Sequence, residues 1–205
     1  MSVDATKVIP TPTPLEPDTV QPVTLRPATA ADAQALALVG AATFLEAFTW
    51  MLPGADIVAH CAEQHNAALY SRYLAAPDTR ITLATSGADA PVGYVMLAAP
   101  DLPTFAVLPT DIELKRIYLF SRFRTAPVLD TKGALIPNLR PAQAMLNAAI
   151  ADARALGRTR LLLGTHANNL RAIAFYRRNG FTEAGTRTFQ VGTQCCCDLI
   201  FAKPL

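Results

Sequence analysis

The sequence predicts an α/β (α+β) fold, with a mixed, mostly antiparallel central sheet of about seven strands flanked by about four helices. Three observations carry that prediction. Short runs rich in β-branched and other apolar residues recur along the chain, some as hairpin-like pairs, and longer segments with helical apolar spacing lie between them. Residues 160–163 form an apolar run, followed by a turn and then by Ala172, Phe175 and Tyr176 at helical spacing, ended by Asn179-Gly180. The chain has 205 residues, 51% of them hydrophobic, enough for one core with little left for a second.

Taken in order, residues 1–22 carry prolines at 10, 12, 14, 17 and 22 with no strand or helix periodicity. That composition favours extended, polyproline-like chain, so a disordered N-terminal tail is expected ahead of a single domain over residues 23–205. Val23–Pro27 alternates like a strand and is stopped by proline; Thr29 and Asp32 then lead into an apolar helix, Ala33–Phe48. Pro53-Gly54 breaks the chain, and Asp56 caps a second helix of about twenty residues running toward Tyr73 and Leu74. Residues 80–85 and 91–97 read as a hairpin, residues 99–110 as a proline-rich loop, and residues 111–119 as the next strand. A helix opens at Pro141, where the missing N–H costs nothing, and ends at Leu156-Gly157. The strand and helix of residues 160–179 follow, then two strands, 183–191 and 195–202, about a turn centred on Gly192.

A formal net charge of +2 without a dense Lys/Arg run gives no footprint for nucleic acid. No apolar stretch approaches the roughly 20 residues that span a bilayer, and the N-terminus lacks signal-peptide order, so no membrane partner and a cytoplasmic location are expected. Cys61 stands alone and Cys195-Cys196-Cys197 alternate across a strand, which fits neither a disulfide framework nor a CxxC metal pair. These thiols are expected to be small, partly buried strand residues. His60 and His65 are five apart and would not share a helical face, so no metal is expected.

The order Asn169-Leu170-Arg171-Ala172-Ile173-Ala174-Phe175-Tyr176, followed by Gly180-Phe181, resembles the N-x-x-A-x-x-F-Y-x-x-x-G-F signature of the GNAT superfamily of N-acetyltransferases, which use acetyl-CoA. Residues 113–119, ELKRIYL, are similar to that family's central fourth strand, Val92-Gly93-Tyr94-Val95 to its third, and LRPATAADA to its opening. The resemblance spans about residues 23–203, strongest at 111–119 and 161–181. It implies acetyl-CoA as cosubstrate, with its pantetheine arm along the backbone of Ile117, Tyr118 and Leu119 like an added strand. Asn169, or its neighbour Asn168, would hold the pantetheine amide, with Ala172 and Phe175 in the same binding signature. Tyr176 matches the family tyrosine that protonates the leaving thiolate, and a phenol with an ordinary pKa of about 10 carries that proton at neutral pH. Glu113 is the candidate base, acting directly or through water, and N–H groups near Ile117 and Leu119 are the candidate oxyanion donors. The first two helices would wall the acceptor cleft, which makes Phe44, Phe48 and Trp50 candidate substrate contacts; His60, His65, Tyr70 and Tyr73 are further candidates that read equally as core.

One stretch departs from the family. The glycine-rich turn Q/R-x-x-G-x-G/A that meets the CoA pyrophosphate is missing, and residues 119–140 are longer than the resemblance implies. The helix N-terminus at Ala142, Gln143 and Ala144 can still offer N–H groups to phosphate, with charge from Arg122, Arg124 or Arg140. The implied function is direct transfer of an acetyl group to a primary amine of a small molecule, nearest to members that act on polyamines or other small amines, with a homodimer formed through the last strands. The alternative is a non-catalytic or degenerate GNAT fold that binds CoA or a protein partner, for which the missing turn and the 120–139 insertion speak.

Overall fold

The computed structural model describes residues 20–102, 105–191 and 194–205. Most of the expected N-terminal tail and the Gly192 turn therefore lie outside the described residues. The strands are β1 (Val23–Pro27), β2 (Arg80–Ser86), β3 (Ala90–Ala98), β4 (Asp111–Leu119), β5 (Val128–Leu129), β6 (Leu135–Ile136), β7 (Arg160–His166), β8 (Thr182–Val191) and β9 (Gln194–Pro204). The helices are α1 (Ala33–Phe48), α2 (Gly54–Gln64), α3 (Ala67–Ala75), α4 (Pro141–Ala155) and α5 (Leu170–Arg178). All nine strands join one sheet in the order β6-β5-β1-β2-β3-β4-β7-β9-β8. Its pairs are antiparallel except β1 with β5 and β4 with β7.

Alternation of side chains puts two cores on the two faces. Met145, Leu146 and Ala149 of α4 and Ile173 and Tyr176 of α5 pack on Val95, Leu97, Ile112, Leu114 and Leu163. On the opposite face Leu36 and Val39 of α1 and Tyr70 of α3 cover Ile81, Leu83, Tyr94 and Met96. Ala30–Phe48 amounts to 19 residues of mostly apolar character, near the length that spans a bilayer. Here one side of it is spent on the sheet, with Leu36, Val39 and Phe44 buried. At the helix entry Asp32 accepts from both ends of the Arg26 guanidinium (2.9 and 2.7 Å) and from Thr29 N–H (2.7 Å), which locks β1 to α1.

Two expectations need correction. The single second helix is two helices, because His65 leaves helical geometry and Asn66 caps α3, accepting from Leu69 N–H at 2.9 Å. The Asn66 amide also donates to the carbonyls of Ala62 and Glu63, closing the preceding helix. The 120–139 insertion adds the two extra strands: β5 and β6 form a small hairpin, and β5 lies beside β1. It is anchored at its start, where Ser121 gives its N–H and hydroxyl to Glu46 of α1. Among the described residues the count is thus nine strands and five α-helices, within the expected class.

Candidate active site

Within the sheet the seam between β4 and β7 is only partly closed. These parallel strands pair only over residues 111–113 against 160–162. Beyond that point, residues 114–119 of β4 and 163–166 of β7 have no pairing with each other among the described residues. The physical cause lies in β4. Its register against β3 shifts between Met96↔Arg116 and Leu97↔Leu114, which leaves Lys115 as an extra, bulged residue. A bulge bends its strand and increases its twist, so β4 stays with β3 and turns away from β7. Phe120 N–H donates to Val92 O, so Tyr118 and Phe120 face β3 with their backbone groups. By alternation Ile117 and Leu119 turn theirs toward the gap. Gly93 makes the close β3–β4 contact possible, because a Cβ there would lie 2.5 Å from Tyr118 O.

Two helices follow the strands of this wedge, α4 opening at Pro141 and α5 at Leu170. Asn169 caps α5, its side chain accepting from Ala172 N–H at 3.2 Å, while the exposed Asn168 donates its N–H to His166 Nδ1. Ala172 and Phe175 are half-buried against the core. Pro141 opens α4, and Gln143 there donates to Asn147 and to Asn179 at the far end of α5, tying the two helices together. Arg140 donates to Thr125 O at 2.6 Å, a strut between the insertion and α4. Arg122 is exposed and lies over the Phe123 ring. Arg124 is half-buried, and its pKa is lowered first by burial and then by the charge of Arg171 in the first turn of α5. Two arginines thus repel each other in a region with no glycine-rich turn.

Tyr176 projects from α5 into the core beside Phe175, Phe181 and Phe201. Burial, then the neighbouring Tyr118, raises its pKa well above that of a free phenol. Among the described residues its hydroxyl has no hydrogen-bond partner, and its electrostatic neighbour is Tyr118 of β4. The phenol is protonated at neutral pH and available as a donor.

Glu113 occupies the last paired rung of the seam and is 2% exposed. It accepts from Asp101 N–H at 3.0 Å, with Lys115 at 3.6 Å and Arg187 at 3.7 Å. Arg187 also pairs with Asp198 at 3.2 Å, and its guanidinium lies over Gly164, where a Cβ would meet Nη2 at 2.6 Å. Burial raises the Asp198 pKa against the opposing effect of Arg187.

Across the other face of β4, α1 to α3 supply a buried polar and aromatic cluster. Phe44 stacks on His60 at 4.3 Å and meets Phe48 at 4.5 Å, with Tyr118 edge-on at 6.4 Å. The Tyr70 hydroxyl shares hydrogen bonds with Tyr94 (2.6 Å) and His65 Nδ1 (3.0 Å), and accepts from Arg116 Nη1 (3.2 Å). His65 and His60 meet at 5.8 Å between ring centroids, because the chain leaves the helix between them. Burial, then Arg116, then His60 push the His65 pKa down to about 3, so it is neutral at pH 7. Trp50 is elsewhere: it is 64% exposed and donates to Ala47 O, apart from the cluster holding Phe44 and Phe48. Among the described residues no group of three or more His, Cys, Asp or Glu is placed to hold a metal ion.

An uncharacterized N-acetyltransferase of Mycobacterium tuberculosis is 30% identical to this chain over 174 residues, covering 85% of the chain and 98% of the relative. The Mycobacterium bovis counterpart matches equally. The model of the acetyltransferase (GNAT) family matches residues 141–181, which run from α4 through α5. The chain belongs to the GNAT family of N-acetyltransferases. It is therefore an acyltransferase. Solved structures of GNAT proteins share the fold. The PaiA N-acetyltransferase of Thermoplasma acidophilum, solved in complex with coenzyme A, aligns with a TM-score of 0.67 at 16% identity, covering 89% of this chain and 99% of that one. A GCN5-related N-acetyltransferase of Rhodopseudomonas palustris aligns at 0.63 and 16%, covering 91% and 99%.

Within this GNAT chain the local motif around Asn169 and Tyr176 was readable because its residues are close in sequence. Arg171, Arg116 and Gly40 were not singled out. Arg171 lies inside the signature and its charge at a helix N-terminus was the available signal. Gly40 interrupts an apolar helix, and a Cβ there would collide with His65 Nδ1 and lie 2.6 Å from the Tyr70 hydroxyl oxygen.

Proposed function

We propose that the protein transfers the acetyl group of acetyl-CoA directly to a primary amine of a small molecule, within a ternary complex. The observation that carries this reading is the wedge between β4 and β7, bordered by unpaired strand backbone with the Tyr176 phenol at its side. Pantetheine lies in the wedge as an added strand along Ile117, Tyr118 and Leu119, with Asn169 or Asn168 at its amide. The phosphates meet the α4 N-terminus at Ala142, Gln143 and Ala144, with Arg124 and Arg171 nearby and Arg122 and Arg140 on the approach. That the Thermoplasma acidophilum neighbour was solved with coenzyme A supports the same ligand here.

The acceptor enters from the α1–α2 side, past Phe44, Phe48 and Tyr118. Its nitrogen attacks the thioester carbonyl, the C–S bond breaks, and the Tyr176 phenol gives its proton to the departing thiolate. Ile117 and Leu119 N–H groups hold the oxygen that becomes negative. The proton lost by the amine goes to Glu113, directly or through water. Lys115 and Arg187 compete for the Glu113 oxygens, so this step contributes less than the phenol.

The test is acetyl-CoA binding by calorimetry together with thiol release across a panel of primary amines. Micromolar binding with amine-dependent thiol release is the expected outcome. Binding without release for any amine would instead favour a CoA-binding protein that has lost catalysis.

A further inference from the structure

Arg116 is the one arginine of the chain that is buried, at 9% exposure, among the described residues. Arg26, Arg158, Arg160, Arg177 and Arg187, all more exposed, each pair with a carboxylate of the protein. Among the described residues Arg116 pairs with none. Its partners are the Tyr70 hydroxyl at 3.2 Å, the Gln64 side-chain oxygen at 3.4 Å, and the rings of Tyr70 and Tyr73 at 5.5 and 5.7 Å. A buried cation without a counter-charge is costly, and neutral hydroxyl, amide and ring partners offset that cost only in part.

One feature shows that the guanidinium is not wholly sealed away. Its Nε makes no hydrogen bond, yet Arg158 Nε is the one enclosed side-chain nitrogen or oxygen without a partner among the described residues. Arg116 Nε therefore borders accessible space. The residue also sits immediately after the Lys115 bulge, one position before Ile117, whose N–H faces the wedge. Its side chain lies on the face formed by α1 to α3, the side from which the acceptor enters under the reading above. Gly40, His65 and Tyr94 fix the position of Tyr70 and hence of the guanidinium.

We infer that Arg116 binds a carboxylate of the acceptor, so that the substrate class is a small amino acid or other amine bearing a carboxylate, held by its acid group while its amine meets the acetyl carbon. This rests on the acetyltransferase reading. A guanidinium with spare donors is suited to a planar carboxylate, which can accept two parallel N–H bonds.

The test compares kcat/KM for the ω-amino acids glycine, β-alanine, 4-aminobutyrate and 5-aminopentanoate, and for α-amino acids, each against its neutral primary amide. The wild type is expected to favour the acid of the preferred length by about 30-fold, the usual magnitude of a hydrogen bond to a charged group. Arg116→Gln should bring acid and amide to within about threefold, mainly through KM, and Arg116→Lys should restore part of the preference. Unchanged acetyl-CoA affinity by calorimetry shows that the variants are folded. Equal use of acids and amides by the wild type, or an acid preference that survives Arg116→Gln, overturns the inference while leaving the acetyltransferase reading intact. Acetyl-CoA binding without turnover of any amine overturns that reading and this inference with it.

Discussion

In the proposed reading the cofactor phosphates meet helix N-termini and exposed or half-buried arginines around residues 140–144 and 168–172, whereas Arg116 stands among interlocked side chains from α2, α3 and β3. The first region is made largely of main chain, which any L-residue supplies provided the backbone takes the right path. The second depends on particular hydroxyls, rings and one guanidinium. A glycine-rich turn can therefore be replaced at the first end by Arg140, Pro141 and Ala142 without loss of the helix N-terminus. At the second end a Cβ added at Gly40 would lie 2.6 Å from the Tyr70 hydroxyl oxygen. The phosphate end is thus expected to respond weakly to side-chain substitution, and the catalytic and acceptor end strongly.

Tyr176→Phe tests the strong side at its strongest. Removing the phenolic proton donor should lower kcat about 100-fold, the lower range for general acid catalysis, with acetyl-CoA affinity unchanged because the ring packing on Phe181 and Phe201 is kept. Glu113→Gln should cost only about tenfold, and the loss should shrink as pH rises and more of the amine is already neutral. A larger loss from Glu113→Gln than from Tyr176→Phe would reverse the roles assigned to them.

Gly40→Ala should follow. Alanine favours a helix interior by about 1 kcal/mol over glycine, yet here the added Cβ enters the space of His65 and Tyr70, and overpacking costs about 1–3 kcal/mol. The clash is with two buried side chains held in a common network, so it should win. A lower Tm together with a raised acceptor KM is the expected outcome; a higher Tm would show that the network yields easily.

The same network has a pH signature. Burial, Arg116 and His60 bring His65 down to about 3 in the folded protein, against about 6.5 unfolded. Between those values the unfolded state binds the extra proton, so stability falls as pH drops below about 6.5. The contribution at pH 5 is on the order of 2 kcal/mol. Denaturant unfolding from pH 7 to 5 should show that slope, and His65→Gln should flatten it. Identical slopes in the two proteins would assign the acid sensitivity elsewhere.

This contrast also explains what was legible in the sequence. The bounds expected for α1 and β4 coincide with the observed ones, because each is a long run of one periodicity with clear ends. The break between α2 and α3 was hidden because helical residues stand on both sides of Asn66, and only its side-chain bonds reveal the cap. β5 and β6 span two residues each, too few for any periodicity. At the site, Asn169 to Tyr176 span one helix and its N-cap and read as a local pattern. Arg116 meets Tyr70 from 46 positions away, and Tyr70 meets Tyr94 from 24, so that cluster exists only after folding. Phe44 and Phe48 do sit together while Trp50, two residues past Phe48, points to solvent, because α1 ends between them.

The smallest effects are expected at the phosphate end. Arg124 and Arg171 repel each other, and an anion between them would relieve that repulsion while gaining two charge contacts. Both contacts are partly open to water, where a single charge interaction is worth about 0.2–1 kcal/mol. Arg124→Ala and Arg171→Ala should each raise the Kd for acetyl-CoA by about two- to fivefold at low salt. The difference from wild type should fade by about 0.5 M salt, where the Debye length falls well below 10 Å. A loss of about 100-fold from either substitution, persisting at high salt, would mean that the phosphates are gripped by buried side chains rather than by helix N-termini. The two ends of the wedge would then be built on the same principle, and the substitution of the glycine-rich turn would need these arginines as its direct replacement.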